Sequence, residues 1–234
     1  MLSHFEITEG EGKHKDFIFN KFKDLLELFE RSYNLFLTSI YEAKQKIDEG
    51  LNDSYHRIYI VMGMKINSDA RILFHSILNG WYATAESLFR DINDCIIKII
   101  YTTYSPNEAE KIIQNKITTE KIRKSLKKKK IPMPLSEEGW GKISQMKHGD
   151  GKFIFAYGDL SKEDYMLRFY PTVFAYLIEN LFIYSIALLV NTCEYFDRFF
   201  SNKYDRKYSN DQFATELDIL RTKIKEIMND QLKT

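Results

Sequence analysis

Cysteine, proline and glycine are all scarce in this chain, and each scarcity removes a class of explanation. Two cysteines, Cys95 and Cys193, both set in apolar helical context, exclude a disulfide scaffold and read as free buried thiols. Four prolines and ten glycines, with no Ser/Gly/Pro-rich stretch, leave no flexible linker, so residues 1–234 read as one domain. Neither sign of charge is in excess: the formal net charge is +1, and nothing global demands nucleic acid or a membrane surface. There is no HExxH, no paired Glu-x-x-His, no CxxC and no phosphate-cradling glycine loop, so neither a metal nor a cofactor is expected. The N-terminus, MLSHFEITEGEGKHKD, is polar and lacks the apolar stretch of a signal peptide, so the expected location is the cytoplasm.

A long hydrophobic run is missing too. From Thr172 to Cys193 the only charge is Glu179, but Glu179-Asn180 would fall inside a membrane span of about 20 residues. The stretch reads as a central buried helix, and no membrane partner is expected.

What the chain does have is helical period nearly throughout, which predicts an all-α antiparallel bundle. Phe22, Leu25, Leu26, Phe29, Tyr33, Phe36 and Ile40 recur at helical spacing in an N-terminal helix over 16–48, and Gly50 closes it. A central bundle follows over about 53–200. Its first helix, Ser54 to Leu78, meets the next, about Trp81 to Tyr104, through Asn79-Gly80, so the two should form an antiparallel hairpin. Ser105-Pro106-Asn107-Glu108 reads as a capping box opening a short helix to about Asn115, and another runs on to Lys130. Ser136 and Ser161 are expected to cap later helices, Gly149 to end one after His148, and Pro171 to interrupt or kink the segment before the long apolar helix. The only β-like piece is Asp150 to Leu160, a small hairpin or ordered loop. A second capping box, Ser209 to Gln212, opens an amphipathic helix over 209–232. There Phe213, Leu217, Leu220, Ile224 and Ile227 form a narrow apolar seam that either docks on the bundle or pairs with a second copy.

Three constellations stand out. Glu86, Arg90 and Asp94 share one face of the third helix at i, i+4 and i+8, with Asp91 beside them. Arginine ahead of the acid is the less favourable order for an isolated helix, so surface decoration explains the pair poorly. It is either a buried ion pair that fixes helix register or part of a polar pocket. Trp140, Ser144 and His148 lie on a short segment; Ser144 and His148 share a face, and a histidine at a helix end also serves the helix dipole. An arginine inside an apolar helix must find an anion, so Arg90, Asp94 and His148 are expected to converge, with Glu86 or Trp140 lining the same site. Third is the run Lys121 to Lys130, KIRKSLKKKK, which includes Lys127, Lys128, Lys129 and Lys130. It is either a solvated helix end or a contact for an RNA or DNA backbone, without the interleaved aromatics of a single-strand reader.

The stretch VMGMKINSDARILFHSILNGWYATAESLFRDINDCIIKIIY, then SPNEAEKII, then GWGKISQMKHGDG and a long apolar helix, resembles an uncharacterised group of bacterial helical proteins. In that group a hairpin carries an Arg-x-x-x-Glu pair and a later segment ends in a histidine; Arg90, Asp94 and His148 fall on those positions. The likeness covers about Tyr59 to Tyr195. Such proteins look distantly similar to the HEPN superfamily, which includes ribonucleases and toxins of antiviral and abortive-infection systems as well as inactive scaffolds. Active HEPN nucleases place arginine and histidine together on one segment. Here Arg90 and His148 fall on different helices and Lys142 stands in place of the nearby arginine. The resemblance therefore implies either a non-catalytic interaction or regulatory protein or a metal-independent ribonuclease, with His148 as general acid/base and Arg90 stabilising phosphorane-like charge. HEPN-like bundles also commonly pair. A homodimer is expected, through the final helix or the central hairpin, and the early end of the seam at Gln231 favours the hairpin.

Overall fold

The computed structural model describes residues 4–50, 54–134, 175–204 and 210–231. The all-α expectation is met: these residues form eight α-helices and one 3-10 turn, and no strand occurs among them. The helices are α1 (His4–Lys21), α2 (Lys23–Asp48), α3 (Ser54–Leu78), α4 (Tyr82–Tyr104), α5 (Ala109–Ile113), α6 (Thr119–Lys128), α7 (Ala175–Tyr204) and α8 (Asp211–Gln231). The segment expected to be β-like, Asp150 to Leu160, lies outside the described residues, as do Ser136, Gly149, Ser161 and Pro171.

The hairpin expected at Asn79-Gly80 is there, and its chemistry is local. Gly80 takes φ 75°, which costs glycine nothing, and the Trp81 amide reaches back to the Ser76 carbonyl at 2.7 Å. The His75 carbonyl accepts twice from Asn79, from its backbone amide at 3.0 Å and from its side-chain amide at 2.7 Å, which fixes the last turn. Helix α3 is thereby folded back along α4 over their length. Helices α2, α3, α4 and α7 then contact one another in a ring, with α8 laid on α2 and α7, α1 on α2 and α3, and α6 on α4.

Stacked rings hold the centre: Phe29 lies 5.1 Å from Phe74, and Phe182 meets both edge-on. Close approach of α2 to α3 rests on Gly63, where an added Cβ would stand 3.0 Å from Ile40 Cγ1. The buried Tyr59 hydroxyl is satisfied by Ser39 at 2.6 Å. No described helix is long and apolar enough to cross a membrane.

Three local expectations need correction. The N-terminal helix does not start at residue 16. Helix begins at His4 and is interrupted at Phe22 (φ −116°, ψ 28°), a buried ring that carries none of the usual breaker chemistry. Ser105 makes no cap bond at Pro106; its hydroxyl instead accepts from Lys129 Nζ at 3.1 Å, and Glu108 pairs with Lys111 at 3.0 Å. The cap of α8 is Asn210, whose Oδ1 accepts the Phe213 amide at 2.8 Å, one residue later than the Ser209 box. The apolar seam of α8 docks on the bundle: Phe213, Leu217, Leu220 and Ile224 are buried and Ile227 packs against them.

Candidate functional site

Helix α4 carries the polar stripe in its most enclosed stretch. From Ala85 to Thr103 not one residue is exposed, because α4 is flanked by α3, α6 and α7. Along that length Glu86 is only 4% exposed, and Arg90, Asp91 and Asp94 are half-buried. Between them, at i+7 from Glu86, stands Asn93, fully buried, with neither amide atom hydrogen-bonded. A buried amide without partners forfeits its hydration with no return, so Asn93 is a polar side chain maintained at a cost. Across the hairpin Lys65 bridges to Asp69 at 2.7 Å; desolvation lowers its ammonium, but the Asp69 hydrogen bond and charge, with a lesser pull from Asp91, outweigh it and leave Lys65 above its ordinary value.

Helix α6 packs on α4, and the Lys129 that follows it reaches the C-terminal end of α4 at Tyr101 and Ser105. Thr118 caps α6, its hydroxyl accepting the Lys121 amide at 3.4 Å. Ile122, Arg123 and Leu126 turn inward and the lysines turn out. Arg123, part of the basic run in the sequence, is thus a buried cation on an element packed against α4. The signal was available: it adjoins Ile122 and lies three residues before Leu126, the two apolar positions of an otherwise polar helix.

Of the residues singled out by sequence, Glu86, Arg90 and Asp94 do share one enclosed face of α4. His148, Trp140, Ser144 and Lys142 lie outside the described residues, and with them the expected convergence on His148. Lys127, Lys128, Lys129 and Lys130 are all exposed. Lys129 bends back onto the end of α4, its ammonium 3.1 Å from Ser105 Oγ and 5.9 Å from the centre of the Tyr101 ring.

A polar contact that the sequence reading missed sits at the hairpin turn. His14 of α1 is fully buried, with Nε2 2.8 Å from the Tyr82 hydroxyl and 3.2 Å from the Ile77 carbonyl. Burial holds the imidazole below its ordinary pKa, and the Ile77 carbonyl offsets part of the shift. Nearby, Trp81 Nε1 donates to Glu11 at 3.2 Å, a second tie between α1 and the turn. No sequence motif announces this, since the two partners are 68 residues apart.

Neither thiol is built for nucleophilic work. Burial pushes the Cys95 thiol up to about 12 and raises Cys193 as well, which keeps both protonated near neutral pH. Among the described residues no group of three or more His, Cys, Asp and Glu is placed to hold a metal. A shallow groove of about 290 Å³ runs between α2 and α8, lined by Arg31, Asn34, Thr38, Gln212 and Glu216 among others. Among its described lining residues the cation is Arg31, which is occupied by Glu216. No family model, no curated protein and no solved structure matches this chain, so the reading of its function rests on its own residues.

Proposed function

We propose that the chain is a non-catalytic helical interaction protein of the cytoplasm, a regulatory component of a bacterial antiviral or abortive-infection system. Its α4 stripe sets helix geometry and performs no chemistry. One observation carries this reading: Glu86 and Asn93 are sealed within the bundle, and Arg90 and Asp94 beside them are half-buried. A nuclease needs its acid, base and charge-stabilising groups open to a strand of RNA. A stripe enclosed between packed helices does what buried polar groups do elsewhere, penalising alternative helix registers in which its partners are lost.

The protein acts as a homodimer through the outer face of the hairpin. Its final helix is spent on its own core, whereas α3 exposes Val61, Met64 and Ile72, with Met64 at 64% exposure. These three fall along one side of the helix at i, i+3 and i+11.

The test is incubation of wild type and His148→Ala with total RNA in the absence of divalent metal. Intact RNA in both is the expected result. Cleavage by wild type and not by His148→Ala would replace this reading with that of a HEPN-like ribonuclease or toxin.

A further inference from the structure

We infer that α6 is a docking ridge for the phosphate backbone of double-stranded nucleic acid. This names a partner for the interaction protein proposed above and rests on that reading. Between Thr118 and Lys130 six lysines are exposed, Lys121, Lys124, Lys127, Lys128, Lys129 and Lys130, against one exposed acid, Glu120. In a chain of net charge +1 this is a concentrated positive field. Lys121, Lys124 and Lys128 fall within about 60° of one another around the helix and span about 10 Å along its axis. Lys124 is bridged to Glu120 at 2.6 Å, an exposed pair that solvent screens and a phosphate can exchange into. Duplex nucleic acid offers about one negative charge per 1.7 Å of axis, so ammonium groups at that spacing meet several phosphates at once.

Two details separate the ridge from an ordinary solvated helix end. Cations in a last turn are explained by the helix dipole, which covers Lys127 and Lys128, but Lys121 sits in the first turn, where the dipole opposes it. Lys130 takes φ 55°, a left-handed conformation in which a lysine costs about 1 kcal/mol that glycine would not. The platform beneath is fixed by the burial of Ile122, Arg123 and Leu126 and by the Thr118 cap.

The chemistry of the ridge selects among polyanions. From Thr118 to Lys130 its exposed side chains are lysines, Thr118 and Glu120, with no apolar or aromatic residue among them. A protein partner would need an apolar centre to its interface and a single-strand reader would need stacking rings, whereas an anionic lipid surface would draw the same lysines and is separated by the vesicle arm of the test below. A duplex backbone needs cations alone.

Fluorescence anisotropy with labelled RNA and DNA duplexes of roughly 30 base pairs, between about 50 and 200 mM salt, tests this. Wild type should bind both duplexes without sequence preference, with log K falling linearly in log salt. Lys121→Gln/Lys124→Gln/Lys128→Gln, which alters only exposed side chains, should keep its circular dichroism and lose at least tenfold in affinity, with the salt slope reduced by up to about 3. Lys130→Gly should raise the melting temperature and weaken binding. No binding at the lowest salt, unchanged affinity in the triple variant, or preference for a poly-glutamate peptide or phosphatidylserine vesicles would overturn the inference. If the RNA is bound and also shortened, the non-catalytic reading fails and the ridge stands; if it is neither bound nor cut, the ridge alone fails.

Discussion

Arg31 of α2 grips Glu216 of α8 through two parallel hydrogen bonds, Nε to Oε1 at 2.7 Å and Nη2 to Oε2 at 2.9 Å. This fork joins residues 185 apart in sequence and pins the polar edge of α8 while its apolar edge fills the core. Both side chains remain about a third exposed, at 38% and 29%, so solvent screens the pair. Arg31→Met and Glu216→Gln should each lower stability by about 1 kcal/mol, and a double-mutant cycle in urea should return a coupling of roughly 0.5–1 kcal/mol. Zero coupling would mean that the fork is decoration.

Asn93 offers the sharpest separation of architecture from chemistry. A side chain of similar volume without polar atoms should relieve its desolvation, so Asn93→Leu is expected to stabilise the protein by about 1–2 kcal/mol. Chemical denaturation reads this directly. A loss of stability would show that the amide has partners, such as an internal water, that keep it in place.

Stability should fall with acid through His14. Its folded-state pKa lies below the ordinary value of 6.5, so the unfolded chain binds the proton first. The contribution of the neutral, buried ring is complete above pH 6.5 and is lost as pH drops from there through the folded-state pKa. The slope from this group is at most about 1.4 kcal/mol per pH unit. Thermal melts of wild type should steepen in that window, and His14→Gln, although less stable throughout, should be flatter across it. Equal pH dependence in the two proteins would show that His14 carries no such linkage.

If the outer face of α3 is the dimer contact, charge on it should separate the copies. Met64→Glu and Ile72→Glu, at positions 64% and 48% exposed, should leave the helical spectrum unchanged and halve the mass found by light scattering at micromolar concentration. A wild-type mass matching the 27.8 kDa monomer would remove the dimer altogether.

Much of the architecture was legible because its causes are local. Helical period and the Asn79-Gly80 turn set α3 and α4 within a residue of where they lie, and the spacing of Phe213, Leu217, Leu220 and Ile224 marked the buried edge of α8. Glu86, Arg90 and Asp94 shared a face for the same reason: residues four apart on a helix must. What surrounds that face was not legible. A four-residue spacing reads the same on a solvent-facing helix as on an enclosed one, and only the packing of other helices around α4 decided that Glu86 and Asn93 would be buried. Tertiary structure likewise turned Arg123 inward from a run of lysines, broke the first helix at Phe22 where a large ring is buried, and joined His14 to Tyr82. Local propensity fixes where a helix runs; which side of it faces a neighbour, and the price its polar groups pay there, depends on contacts between residues far apart in the chain.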